Sequence, residues 1–299
     1  MTGGKKMEKK TLLFFNSNAG DGQAQQIAVE MQQKLEQKGA QIIELNTKTR
    51  AEAIVGLQEM LRQKQLAKIV CIGGDGTLNI VATALVHAHA QVPVGLIPAG
   101  TVNNFAQKWQ IPLEPRAAID LILRGNQRRV DIGECNGTAI VSSLLFGSLA
   151  ELSNDVQQRQ KQKFGLAVYG WSALKHLGKR QSAELLFFNQ TFSLRAKVWV
   201  CLMTTSNYVG GYQYLGKTSA GLHVTMLNNM KINKLLNYGF FALTGNLRRS
   251  STLTSFDIKE VIIKPVAKQA VSVRIDGDEG PQLPAKISWL PHFMTIYVK

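Results

Sequence analysis

Acidic side chains are scarce in this sequence: 20 Asp and Glu stand against 35 Lys and Arg, for a formal net charge of +15. The shortage is uneven. Residues 1–134 carry 16 basic and 12 acidic side chains, whereas residues 135–299 carry 19 and 8. Between residues 156 and 256, thirteen Lys or Arg are accompanied by a single acid, Glu184. A surface so poor in acid draws anionic partners, whether phosphates, nucleic acid or the negative face of a membrane. Each cation near an anionic bilayer adds roughly 1 kcal/mol, so a handful on one face would dock the protein. The same charges scattered around a domain give only solubility.

Cysteine is also rare. Cys71, Cys135 and Cys201 lie far apart, form no C-x-x-C pair and are odd in number, which points to a reducing, cytoplasmic compartment. Cys71 falls within a predicted buried strand and reads as a small core residue. Long apolar runs are missing: no stretch approaches the roughly 20 residues of a transmembrane helix. Leu12 to Phe15, after Lys5, Lys6, Lys9 and Lys10, is too short for a signal segment. Any membrane contact is therefore expected to be peripheral. With 299 residues, 45% of them apolar and 18% charged, the chain can bury one large or two ordinary cores and is not of disordered type.

From Thr11 to about Asp131, short apolar runs alternate with longer segments of helical period. The runs are Thr11–Phe15, Gln41–Leu45, Lys68–Ile72, Val92–Ile97 and Val130–Ile132, separated by helical segments near 22–38, 50–65, 77–89 and 115–124. Strands of four to six residues alternating with helices predict an α/β domain over 11–133, a mostly parallel, three-layer sheet preceded by a flexible basic segment, 1–10. After Gly133 the pattern becomes β-rich, at 138–146, 184–189, 192–204, 221–228, 256–264, 270–276 and 286–290. This predicts a second, mainly antiparallel domain over 134–290 with at least one helix, around Phe164 to Leu177. Phe293 to Val298 form a final strand, within 291–299, that could return to either domain.

Three glycine-bearing loops follow strands of the first domain. The most specific is Gly73-Gly74-Asp75-Gly76-Thr77-Leu78-Asn79, directly after Lys68 to Ile72. Glycines between a strand and a helix expose bare backbone N–H groups at the helix N-terminus, where partial positive charge favours a phosphate chain. Neither the Walker A string nor G-x-G-x-x-G occurs. Thr77 could cap the helix, and Asp75 could act through a magnesium ion or a water; a tight turn with an Asp cap is the plain alternative. Pro98-Ala99-Gly100-Thr101-Val102-Asn103-Asn104-Phe105-Ala106 adds a second loop, with Thr101 and two Asn side chains able to bond phosphate or ribose. Asn16-Ser17-Asn18-Ala19-Gly20 is a weaker third. All three fall where open α/β sheets bind ligands, at the carboxyl edge.

Together these strings resemble the diacylglycerol kinase catalytic domain, in particular the soluble bacterial lipid kinases that carry it. The resemblance extends through Val130-Asp131-Ile132-Gly133, Gly210-Gly211 and Asp276-Gly277-Asp278. It implies an ATP- and Mg²⁺-dependent lipid kinase with a nucleotide cleft between an α/β domain and a β-sandwich domain. It also implies nucleotide contacts from Asn16, Gly73, Gly74, Asp75, Gly76, Thr77, Leu78, Asn79, Thr101 and Asn103, and, less securely, from Thr47. In the family a late D-G-E supplies the proposed general base for the lipid hydroxyl. The matching carboxylate here is Asp278, about 1 Å shorter in reach, with Glu279 as the substitute and a solvated acidic turn as the alternative. Asp75 is carried over as a second catalytic residue.

A further departure lies at Ala220-Gly221-Leu222, where relatives show D-G-x-L and the Asp helps hold a structural magnesium ion. Ala220 offers no side-chain oxygen, so that metal site is expected to be lost or weak. Arg159 to Arg180 hold six cations and no acid, with Phe164, Tyr169 and Trp171 between them. An amphipathic helix of this kind could lie on a membrane or pack its aromatic face on the β domain. His87 and His89, two apart, argue against a shared metal site; His176, His223 and His292 read as structural. The expected activity is transfer of the γ-phosphoryl group of ATP to a hydroxyl of a lipid such as diacylglycerol. The alternatives are a non-catalytic lipid- or nucleotide-binding protein on the same fold, or a NAD-kinase-like enzyme with a soluble substrate. Expected partners are ATP, a lipid and an anionic membrane surface rather than nucleic acid, and an open sheet edge could support a homodimer. The acceptor lipid stays open between diacylglycerol, phosphatidylglycerol, a sphingoid base and an undecaprenol-like alcohol.

Overall fold

The computed structural model describes residues 10–15, 23–45, 47–63, 66–147, 182–205, 207–209, 212–213, 220–228, 253–268 and 270–299. The chain divides into two compact units: Met1–Ile132 with Pro291–Lys299, and Gly133–Leu290. The predicted basic helix near Phe164 to Leu177 lies outside the described residues, as does Gly210-Gly211.

In the first unit the elements run β1 (Lys10–Phe15), α1 (Gln23–Glu36), β2 (Ile42–Glu44), α2 (Arg50–Arg62), β3 (Leu66–Gly73), α3 (Asp75–Ala88), β4 (Val94–Pro98), α4 (Asn104–Lys108), α5 (Pro115–Arg124) and the start of β5 (Gln127–Cys135). The sheet order is β2-β1-β3-β4, with every pair parallel, and the last strand of the chain continues it by placing Ile296 beside Val94. Strand alternation sends Leu13, Val70, Ile72 and Ile97 into one buried cluster with α1 and α5. Leu12, Ile69, Cys71 and Leu96 are also buried and alternate to the opposite face, on which α3 packs against β3. This makes three layers. Gly95 allows the α5 approach: a Cβ there would lie 2.8 Å from Ile122 Cδ1.

Local chemistry sets the helix starts. Thr49 caps α2 by accepting from the Glu52 N–H at 3.2 Å, while the Glu52 carboxylate takes the Lys48 N–H at 3.0 Å, an arrangement akin to a capping box. Glu114 caps α5 through the N–H groups of Arg116 and Ala117, Pro115 follows it, and Gly125 ends the helix at φ 88°.

In the second unit follow β6 (Thr138–Ile140), β7 (Ser143–Gly147), β8 (Ala183–Phe188), β9 (Ser193–Val198), β10 (Val200–Thr204), β11 (Tyr208–Val209), β12 (Tyr212–Gln213), β13 (Leu222–Leu227), β14 (Leu253–Ile258), β15 (Glu260–Pro265), β16 (Ser272–Ile275), β17 (Asp278–Gln282) and β18 (Ala285–Tyr297), whose last residues belong to the first unit. One antiparallel sheet runs β14-β13-β10-β7-β16-β17; the other pairs β18, β15, β8 and β9 in that order. Their inner faces share one core, in which Phe146 and Phe187 approach to 6.2 Å between ring centroids. This is a β-sandwich.

Three segments that read as single strands are each two strands belonging to different sheets. The chain changes sheet at 141–142, at Trp199 and at Lys259. At Trp199 the buried face moves from Leu194, Ala196 and Val198 to Cys201 and Met203, from even to odd numbers; at Lys259 it moves from Ile258 to Val261 and Ile263. A one-residue phase change flips every following side chain, and apolar content alone does not register it. Helix α4, with five residues, is too short to show a period in the sequence. Among the described residues no helix is long and apolar enough to cross a membrane.

Candidate active site

Strand β3 ends at Gly73, Gly74 is the N-cap of α3 with φ −92° and ψ −168°, and no side chain caps the helix. The expected Thr77 cap is therefore corrected: Thr77 is the third residue of the helix, which begins three residues earlier than such a cap requires. Its side chain instead fills the space beside Gly73, where an added Cβ would lie 2.3 Å from Thr77 Oγ1. First-turn amides have no partner within a helix. With glycine at the cap they form a donor cluster suited to an anion.

The loops after β3 and β4 are locked together. Gly73 O accepts from the Ala99 N–H at 3.1 Å. Gly74 and Gly100 are in backbone contact, with a Cβ on Gly100 falling 2.5 Å from Gly74 Cα. The Asp75 carboxylate accepts from the N–H groups of Asn104 at 2.9 Å and Phe105 at 3.0 Å, so the first residue of α3 holds the start of α4. Burial pushes the Asp75 carboxyl above its ordinary value, against the pull of those two amide bonds. Asn103, at φ 54°, closes the second loop on itself: Oδ1 accepts from the Gly100 N–H at 3.2 Å and Nδ2 donates to Gly100 O at 2.7 Å.

The remaining positions fall into two groups. Gly74, Asp75, Gly76 and Thr77 are half-buried and Thr101 is exposed, whereas Leu78 and Asn79 are fully buried. Leu78 thus contributes its side chain to the core. Asn79 Oδ1 accepts from Arg50, at the start of α2, and from Thr83 Oγ1 at 3.3 Å. Arg50 was missed in the sequence; the available signal was a cation as the first residue of a helix, where acids are preferred. Thr47 is half-buried just before α2. Asn16 and its loop lie outside the described residues.

In the second unit, Ile275 and Asp278 face each other across a two-residue turn, Asp276 at φ 52° and Gly277 at φ 94°. Both positive angles mark the hairpin turn that Asp-Gly favours. The Asp276 carboxylate accepts from the N–H groups of Val141, Ser142 and Ser143 at 3.0, 2.8 and 2.9 Å, fixing the first of the sheet crossings. Asp278 and Glu279 are both exposed. The register gives Asp278 the face of Ile275 and Glu279 the face of Arg274. Ala220 is exposed before β13. His223 is bonded to Asp257 at 2.7 Å across β13 and β14.

Another basic group lies by α4. Burial lowers Lys108 to about 8, with Asp131 pulling the other way; its ammonium sits 4.7 Å from the Trp109 ring centroid, and the Arg128 guanidinium 5.3 Å from the same ring.

Residues 10–135 match the family model described as the diacylglycerol kinase catalytic domain. That segment is similar to the diacylglycerol kinase catalytic domain. It contains both interlocked loops. Over 283 residues the chain is 27% identical to a diacylglycerol kinase of Bacillus subtilis (strain 168), covering 93% of this chain and 92% of the relative. Over 296 residues it is 23% identical to a diacylglycerol kinase of Staphylococcus carnosus (strain TM300), covering 97% and 95%. Two structures from Bacillus anthracis str. Sterne share the fold. One gives a TM-score of 0.80 at 20% identity, over 100% of this chain and 98% of that one. The other, described as a diacylglycerol kinase, gives 0.70 at 18%, over 99% and 98%.

Proposed function

We propose that this protein is an ATP-dependent lipid kinase that transfers the γ-phosphoryl group to a hydroxyl of a lipid such as diacylglycerol. The observation that carries the reading is the uncapped start of α3, held against the second glycine loop by Asp75, within a segment similar to the kinase catalytic domain. Phosphoryl transfer rests mainly on positioning and on stabilising charge as it develops. Amides fixed by an interlocked backbone meet both needs without reorganising.

Asp278 accepts the proton of the lipid hydroxyl as general base. Its carboxylate stands exposed at the start of β17, on a hairpin whose other Asp is committed to the backbone. Mg²⁺ would enter with ATP and would neutralise charge on its phosphates. The acid-poor second half favours an acceptor presented at an anionic membrane surface, reached peripherally from the cytoplasmic side.

Labelled ATP supplied with mixed-lipid vesicles tests the proposal. The expected result is label in the organic phase that disappears in Asp278→Asn. Label confined to a soluble product, or none in any lipid, would overturn it.

A further inference from the structure

Asn79 belongs to the glycine string, yet it is fully buried. Its carbonyl oxygen accepts from Arg50 Nη2 and from the Thr83 hydroxyl one turn further along α3. Two donors on one oxygen fix the orientation of the amide. The Arg50 guanidinium is thereby tied to α3 while its backbone is the first residue of α2, directly after the Thr49 cap.

Helices α2 and α3 follow β2 and β3 of the parallel sheet, so both begin at its carboxyl edge. A cation there opposes the positive end of each helix dipole, and the other charged residues in these first turns, Glu52 and Asp75, have the preferred sign. A guanidinium that a buried amide holds at this edge would draw an anion to it. A guanidinium also presents a planar fork that matches phosphate oxygens in pairs.

We propose that Arg50 contacts the nucleotide phosphates and that Asn79 is a positioning residue, acting through Arg50 rather than touching the nucleotide itself. The inference rests on the reading of the α3 start as a nucleotide-phosphate site.

Calorimetric titration of the full chain with ATP and with adenosine tests it. In Arg50→Gln, ATP affinity is expected to fall at least tenfold while adenosine affinity changes less than twofold; Arg50→Lys, which keeps the charge and most of the stem, restores only part of the loss. Asn79→Ala reproduces the Arg50→Gln loss, and the double variant is no weaker than either single one. Equal losses for ATP and adenosine, unchanged ATP affinity in Arg50→Gln, or losses that multiply in the double variant would overturn the assignment. Circular dichroism establishes that each variant is folded, and Thr83→Val, which removes only the second donor, is expected to lose less than threefold. Wild-type protein that binds no ATP would overturn the underlying nucleotide reading, an outcome distinct from wild-type binding that Arg50→Gln leaves intact.

Discussion

Gly74 and Gly100 meet backbone to backbone: a methyl group on Gly100 would lie 2.5 Å from Gly74 Cα and 2.8 Å from Asn103 Oδ1. Neither neighbour is the free end of a flexible chain. Gly100→Ala is expected to lower stability by about 1–3 kcal/mol and to weaken ATP binding by moving the two loops apart. Urea unfolding and nucleotide titration measure both effects. Gly56→Ala in α2 is the control: the nearest atom to its Cβ would be the tip of Leu45, at 3.1 Å. It is expected to change stability by less than about 1 kcal/mol.

The two aspartates of Asp276-Gly277-Asp278 should separate cleanly. Asp276→Ala leaves three backbone N–H groups without their carboxylate and is expected to cost about 2 kcal/mol or more. Asp278→Asn, on an exposed position, should leave stability within about 0.5 kcal/mol while lowering lipid phosphorylation by roughly 10²–10⁴-fold. Thermal unfolding alongside the transfer assay decides the matter. Equal destabilisation by both variants would contradict the division of roles.

Lys108 sets a pH dependence of known sign. Its folded-state value is lowered to about 8 from 10.5, so between those values the unfolded chain holds more protons than the folded one. Stability contributed by this group therefore rises with pH across that window, and its penalty is fully present below about 8. The full effect is on the order of 1–3 kcal/mol. Lys108→Met should remove that share of the slope when melting temperatures of variant and wild type are compared from about pH 7 to pH 10.5.

The thiols should be inert in the native state. Cys71, Cys135 and Cys201 are fully buried, and burial pushes Cys135 up to about 12 and the other two well above the ordinary thiol range. Only the thiolate reacts readily. Alkylation at pH 8 is expected to be negligible in buffer and complete at three sites in denaturant, as read by intact mass.

Much of the first unit was legible because its signals are local. A strand that ends in glycines and enters a helix leaves its mark within ten residues. Asp75 was legible as a member of the string but not as the holder of α4, whose amides lie 29 and 30 residues away. Asp276 is a sharper case: its three amide partners are 133 to 135 residues distant, across the second unit. Asn79 stands in the glycine string like its neighbours, but helical rotation turns its side chain inward toward Arg50 and Thr83.

By itself, then, the sequence determined the alternating α/β unit, the β-rich unit and the glycine loops at one sheet edge. Periodicity and backbone freedom are properties of neighbouring residues, and a linear reading captures them. Only the tertiary structure decided where the chain changes sheets, which aspartate braces the backbone and which stands exposed, and which side chain of the string faces a cation. Those outcomes depend on register and on which distant amides need an acceptor once buried. That need arises only when the chain has closed around them.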